Sequence, residues 1–211
     1  MKWKLNKEEE KILRHLSTPA KIQDYLNSIP QNFEKKEETC MSPRRVLRDK
    51  RAHCIEGALL AAAAFWYHGK KPLVLHLATT KIDEDHVVAP FQEYGLWGAI
   101  SKSNHSLLRY RDPVYKTIRE LALSYFNEYY EFKSGEKSLR GYTKPINLKI
   151  LGSDWITEES ELWNINDILT GASHFPIAPQ KTLKKLRVAD PIELDITAHT
   201  DWLNYPLKKR R

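Results

Sequence analysis

Cys54 and His86 are the residues of this sequence whose types and positions best suit nucleophilic chemistry. A cysteine attacks as its thiolate, and the unpaired N–H groups and dipole at a helix N-terminus favour that charge. Cys54 starts a helical pattern, and His86 begins a predicted strand after an acidic turn, where its imidazole can take the thiol proton. The sequence leaves open which of the basic residues just upstream faces the sulfur: Arg44, Arg45, Arg48, Arg51 or His53.

A third residue should hold the imidazole of His86 in the productive tautomer, and the neighbouring strand should supply it. With a short hairpin turn after Gln92, His86 faces Ser101. A one-step change in the length of the turn selects Ser103 instead, and Asn104 is also close. The sequence therefore predicts a Ser101 hydroxyl as the partner of His86, with no carboxylate at these positions.

The elements that position these residues follow from periodicity and from start signals. Residues 54–68 have apolar and small side chains at helical spacing, which predicts the central helix. Residues 72–80, 86–93 and 96–103 predict strands, and the last two form an antiparallel hairpin. A Ser or Thr followed by Pro predicts helices starting near residues 18 and 43, the second ending at 50. Further helices are predicted from the Arg-Asp-Pro sequence at 111–113 to about residue 134, and near 159–169.

The chain of 211 residues is long enough for one substantial core. The predicted fold class is α+β, with the helix that begins at Cys54 packed on an antiparallel sheet. Residues 1–211 are expected to form a single domain. From residue 141 to 211 prolines become frequent, and this part is predicted to be an irregular extension packed on the core.

Composition narrows the class of partner and the compartment. The net charge is +7, but the basic residues are interleaved with Asp and Glu, so nucleic acid is an unlikely partner. The charged first ten residues are unlike a secretory signal, and the apolar run over residues 57–67 is too short to span a membrane. Only two cysteines are present, which fits a reducing compartment. A cytoplasmic protein without membrane association is predicted.

The pattern of a cysteine on a helix, a histidine opening a strand, and Trp97 four residues before the third position resembles the transglutaminase-like (papain-like cysteine hydrolase) superfamily. The family has an Asp where this chain has Ser101. The resemblance covers roughly residues 18–130 and implies a transglutaminase-like core. Four segments resemble an uncharacterised bacterial branch of that superfamily: RAHCIEGALLAAAAFWYHG, DEDHVVAPF, GLWGAISKS and RYRDPVY.

The residues and the resemblance together predict an acyl-transfer enzyme. Cys54 attacks an amide or peptide carbonyl, His86 shuttles the proton, and Ser101 or Asn104 orients His86. The expected substrate is a peptide, a protein or a small amide, and neither a cofactor nor a metal is needed. The alternative is a catalytically weakened binding module of the same fold that recognises a peptide or an acidic partner, and the serine at position 101 is its best support.

Other residues have simpler explanations that compete with a functional one. Cys40 is expected to be a semi-exposed structural thiol rather than a redox partner of Cys54, and Trp97 can belong to the core, to the site or to both. Asp83 or Asp85 in the turn before His86 is another possible source of a carboxylate. The aromatic run over residues 125–132 is expected to pack rather than to stack on bases. A zinc site is a minor alternative for a set without compact ligand spacing: His53, His68 and His76 with Cys54 and His86.

Overall fold

The computed structural model describes residues 3–34, 37–131 and 133–197, and its architecture is mixed α+β. The helices within these ranges are α1 (Lys7–His15), α2 (Pro19–Ser28), α3 (Pro43–Asp49), α4 (Cys54–Tyr67), α5 (Ile118–Leu123), α6 (Trp163–Thr170), α7 (Gln180–Leu183) and α8 (Pro191–Thr197). The strands are β1 (Leu73–Ala78), β2 (His86–Glu93), β3 (Leu96–Ile100), β4 (Arg111–Tyr115), β5 (Gly141–Thr143), β6 (Ile146–Asn147) and β7 (His174–Pro176). The predicted α+β class is confirmed.

The strands form one antiparallel sheet in the order β4-β3-β2-β1-β5-β7, and β6 pairs with the first residues of β1. Successive side chains of a strand point to opposite faces. On one face Val74 and Val87 belong to the core that contains α4, and on the other Leu75 and Val88 belong to the core that contains α5. The run of alanines on α4 is fully buried against the sheet, as expected for the central helix.

Helix starts were the most predictable local feature. Thr18 caps α2 by accepting the N–H of Lys21 at 3.3 Å, and Ser42 caps α3 by accepting the N–H of Arg45 at 3.3 Å. Helix α1, which has a capping box between its cap and Glu9, was not predicted from the charged opening. Among the residues that the structure describes, no helix is long and apolar enough to cross a membrane.

The helix predicted from residues 111–113 to about residue 134 is wrong at both ends, since α5 ends at Leu123 and is followed only by a short 3-10 helix over Phe126–Glu128. Residues 111–113 lie in β4, and the helix α5 begins only at Ile118, after Thr117 accepts the N–H of Glu120 at 3.1 Å. Strand β4 is at the edge of the sheet, where Pro113 can be accommodated although it has no N–H to donate. The Asp-Pro pair was mistaken for a helix start because both environments tolerate proline.

The predicted irregular extension from residue 141 is also corrected. Strands β5, β6 and β7 join the central sheet through β1, so residues 141–176 contribute to the core fold. These strands have only two or three residues each, which is too short for a periodic pattern in the sequence. The helix predicted near residues 159–169 is α6, which starts four residues later. The rest of the predicted extension, residues 198–211, lies outside the described residues.

The hairpin between β2 and β3 has a two-residue turn with positive φ angles, 52° at Tyr94 and 79° at Gly95. Gln92 pairs with Trp97 across it. This is the second of the two registers considered from the sequence, so the register with the shorter turn is wrong. The bounds of β2 are those predicted, whereas β3 ends three residues earlier than predicted.

Gly57 in the first turn of α4 permits a close approach of the chain that follows β3. A Cβ atom at this position would lie 2.4 Å from Cβ of Lys102. Lys102 is 2% exposed, and its Nζ donates to the carbonyls of Leu26 at 2.9 Å and Ile29 at 2.6 Å, at the end of α2. The glycine therefore lets α2, α4 and the end of β3 meet at one place.

We predict that Gly57→Ala destabilises the protein by about 1–3 kcal/mol, because the added methyl group overpacks a site that cannot shift. Helix propensity alone would give the opposite sign, a gain of about 0.5–1 kcal/mol. The free energy of unfolding of Gly57→Ala is measured in urea and compared with that of a control variant, Lys11→Ala, at an exposed position in α1. A Gly57→Ala protein as stable as wild type would contradict the close packing.

Candidate active site

Cys54 is the first residue of α4, and His53 occupies the capping position before it. The carbonyl of His53 accepts the N–H of Gly57 at 2.9 Å, so the N–H groups of the intervening residues have no partner in the preceding turn of the helix. The thiol is partly exposed and lines a cleft. The predicted position of Cys54 at a helix N-terminus is confirmed.

His53 is the upstream basic residue that faces the sulfur. Its Nδ1 lies 3.9 Å from Sγ of Cys54. The sequence named His53 only as one of five candidates, and its position next to Cys54 was the signal that could have singled it out. Three of the arginines are paired with carboxylates: Arg44 with Glu9, Arg45 with Glu161, and Arg48 with Asp49 and Glu159.

The carboxylate of Glu56 lies behind His53 and is fully buried. Its Oε1 is 3.4 Å from Nε2 of His53. It accepts hydrogen bonds from Nδ2 of Asn32 at 3.1 Å, Oγ1 of Thr39 at 2.8 Å, and the N–H groups of Met41 at 3.1 Å and His53 at 2.9 Å. Burial by itself raises the pKa of Glu56, but the contact with His53 and these donors outweigh it and lower the pKa to about 2.

His86 begins β2 and is 4% exposed. Its Nε2 lies 2.5 Å from Oγ of Ser101. The ring is packed between Tyr125 and Tyr129, each with its centroid 6.3 Å away. The structure therefore brings His86 and Ser101 together as the sequence predicts. The contact is made from beyond the end of β3 rather than from the directly opposite position.

Ser101 is held in place by its backbone. The side chain of Gln23 in α2 donates from Nε2 to the carbonyl of Ser101 at 2.9 Å and accepts the N–H of Ser101 at 3.2 Å. Both residues are buried, and the next residue, Lys102, is tied to the end of the same helix. Sequence reasoning missed Gln23, because no local pattern links residues that are 78 positions apart.

The other candidates for orienting His86 make different contacts. Oγ of Ser103 accepts the N–H of His105 at 3.0 Å. Asp83 accepts a hydrogen bond from Ser138, and Asp85 lies 3.3 Å from Nε2 of His76. Asn104 lines the cleft.

The remaining sequence candidates make their hydrogen bonds and packing contacts with other parts of the chain. Cys40 is fully buried rather than semi-exposed as the sequence predicts, and burial is the main cause that raises its pKa to about 12. Trp97 packs against the core on the side of α5 and is absent from the cleft lining. His68 contacts the carbonyl of Leu13, and among the described residues no group of three or more potential ligands could hold a metal ion.

The environment of Cys54 favours its thiolate form. Burial raises the pKa of a thiol, but hydrogen bonding and charge from His53 and then His86 hold the pKa of Cys54 well below its usual value. Burial also raises the pKa of Tyr129, and the charge of Cys54 adds to that effect. The site can therefore present a nucleophilic sulfur beside an imidazole.

The cleft around Cys54 has a volume of about 740 Å³ and is rich in acidic residues, although the chain as a whole is basic. Two lysines line it, and one of them, Lys102, is turned toward α2. A cleft of this size accommodates a peptide side chain or a small amide. Its carboxylates are those of Glu34, Asp83, Glu84, Asp85, Glu128 and Glu131.

Comparison of the chain with models of known protein families gives no match, and comparison with curated protein sequences gives none either.

We predict that Glu56 makes the protein sensitive to acid. The pKa of its carboxyl group is lowered to about 2 in the folded state, so its contribution is present above the ordinary value of 4.5 and is lost as the pH falls toward 2. Over that window the free energy of unfolding should fall by about 3 kcal/mol more in wild type than in Glu56→Gln. Denaturant unfolding at several pH values measures this. Glu84→Gln, at an exposed position, should follow wild type, and parallel curves for wild type and Glu56→Gln would contradict the prediction.

Proposed function

We propose that this chain is a cysteine-dependent acyl-transfer enzyme with a transglutaminase-like core, either an amide or peptide hydrolase or a transglutaminase-like transferase. The observation that carries the proposal is the position of Cys54, at the start of a buried helix, in an open cleft, and within the influence of two imidazoles. One of these, His86, is fixed by Ser101. The antiparallel sheet packed on α4 is compatible with the proposed fold family.

In the proposed reaction the sulfur of Cys54 attacks the carbonyl carbon of an amide. In this reaction the N–H groups in the first turn of α4 stabilise the oxygen that becomes negatively charged. The proton that the thiol gave up to the imidazoles beside it passes through His86 to the departing amine while the C–N bond breaks, and a thioester remains. Water or a second amine then attacks the thioester, gives its proton to His86 and releases the thiol. None of these reaction steps uses a cofactor.

The charge of the cleft bears on the substrate. Six carboxylates among the described lining residues favour a neutral or cationic substrate over an anionic one. A peptide, a protein or a small amide remains the proposed substrate, and an acidic partner is disfavoured in this cleft. We propose neither a nucleic acid nor a membrane as partner. Both described cysteines are free, which supports a cytoplasmic location.

We predict that Cys54→Ala and His86→Ala each lower amide turnover by about a hundredfold or more, because one removes the nucleophile and the other the proton carrier. The assay measures amine release from glutamine-containing peptides flanked by lysine, with and without an added primary amine. His15→Ala, at an exposed position in α1, is the matched control.

The binding module of the same fold is the other outcome of this assay. Wild type that turns over no amide and no peptide, while a peptide protects Cys54 from labelling, would favour that function. Amide turnover that persists in Cys54→Ala would contradict both the cysteine-dependent enzyme and the binding module.

We predict that Ser101→Asp increases turnover, because a carboxylate next to His86 stabilises the imidazolium that forms during proton transfer. Position 101 is fully buried, so the same variant should lose about 1–3 kcal/mol of unfolding free energy. Turnover and urea unfolding are measured on the same preparation. Ser103→Asp is the control, since Ser103 bonds to a backbone N–H instead. A folded Ser101→Asp protein that turns over no faster than wild type would show that position 101 does not assist His86.

A further inference from the structure

The two histidines beside Cys54 differ in the group that contacts the far side of each imidazole ring. His86 is backed by the neutral hydroxyl of Ser101. His53 is backed by the buried carboxylate of Glu56. The series of a cysteine, an imidazole and a carboxylate is therefore present in this site as Cys54, His53 and Glu56. His86 is not part of it.

The protonation of His53 follows from the atoms around its ring. Nε2 lies 2.9 Å from the carbonyl oxygen of Thr39, 3.4 Å from Oε1 of Glu56 and 3.5 Å from Oε1 of Glu34. A carbonyl and ionised carboxylates only accept hydrogen bonds, so Nε2 carries a proton. Nδ1 lies 3.9 Å from Sγ of Cys54, so the proton of the thiol can reside on either atom.

The surrounding charges decide where that proton resides. Glu56 is ionised because four donors besides the His53 ring point at its oxygens. An ionised carboxylate that is held in place and shielded from water stabilises a positive charge on the imidazole ring next to it. The titratable groups that face the pair of Cys54 and His53 are Glu34, Cys40, Glu56, His86 and Tyr129.

We propose that His53, charged and held by the buried carboxylate of Glu56, is the positioning residue that keeps Cys54 as a thiolate and supplies the charge that Ser101 cannot. The proton leaves Sγ of Cys54 and resides on Nδ1 of His53. This proposal rests on the proposed function only for the use of the thiolate, since the ion pair itself exists without a substrate.

A structural explanation of the same contacts makes different predictions. Glu56 and His53 form a capping box at the start of α4, in which Glu56 accepts the N–H of His53 and the His53 side chain accepts the N–H of Glu56. A ring nitrogen that accepts an N–H is unprotonated, so this explanation requires a neutral His53 ring. If His53 and Glu56 did no more than that, replacing them would change stability and leave the titration of the thiol unaltered. The pH profile of the thiol therefore separates the two explanations.

The experiment measures the rate of alkylation of Cys54 by iodoacetamide as a function of pH. Cys40 is fully buried with a raised pKa, so the reaction reports on Cys54. In wild type the rate should change little between mildly acidic and neutral pH. In His53→Gln the rate at neutral pH should fall about tenfold or more, since a cation next to a titrating group commonly shifts its pKa by about one to three units. Arg45→Gln removes an upstream cation that is paired with Glu161, and it should label as wild type does.

Two further measurements keep the test valid if a variant does not fold. The ring nitrogens of His53, followed by nitrogen NMR in wild type, should both be protonated at neutral pH, and Cys54→Ala should lower the pH at which the ring loses its proton. Glu56→Gln should slow alkylation, whereas Glu161→Gln, which alters the carboxylate bonded to the N–H of Cys40, should not. A neutral His53 ring in wild type at neutral pH, or a folded His53→Gln protein that labels at the wild-type rate, would overturn the proposal.

The outcomes separate this proposal from the proposed function. His86→Ala should reduce alkylation less than His53→Gln does, while it abolishes turnover. Alkylation that depends on His53 in a protein without amide turnover would support the ion pair and remove the enzyme. Turnover that depends on Cys54 and His86, with alkylation independent of His53, would support the enzyme and contradict the ion pair.

Discussion

A carboxylate that is removed from water must be surrounded by hydrogen-bond donors, and Glu56 obtains them from two parts of the chain. The side chains of Asn32 and Thr39 and the N–H of Met41 come from the chain before α3. The N–H of His53 comes from the start of α4. Satisfying this one charge brings Asn32, Thr39 and Met41 against the first turn of α4. The wall of the cleft next to Cys54 is therefore a consequence of the burial of Glu56.

The opposite wall has its own constraint, which is the junction between α2 and the chain after β3. The amide of Gln23 pairs with both backbone groups of Ser101, and the ammonium of Lys102 takes carbonyls at the end of α2. Gly57 allows this junction to press against α4. The hydroxyl of Ser101 is thereby brought to His86 from a position that strand pairing alone would not give it.

The parts of this arrangement that depend on neighbouring residues could be predicted from the sequence. The start of α4 at Cys54 and the bounds of β2 followed from periodicity and turn signals. The edge strand β4 was mistaken for a helix, since Pro113 is tolerated in both, and the two- or three-residue strands β5 to β7 carry no period. The contacts of Gln23 and Glu56 could not be predicted, because they join segments that only the complete fold brings together.

Placing the acid behind His53 changes what the site requires of His86. In a cysteine, histidine and acid series, one imidazole both balances the thiolate and moves the proton, so it needs a carboxylate behind it. With the thiolate balanced by His53, a hydroxyl is sufficient to orient His86. It adds no second buried anion, but it does not give the imidazolium of His86 the extra stabilisation that a carboxylate would. A carboxylate at the fully buried position 101 would need donors of its own, and the amide of Gln23 already serves the backbone there. On this division of roles, the serine at position 101 is the consequence of an acid located on the other side of the thiol and does not indicate a loss of catalysis.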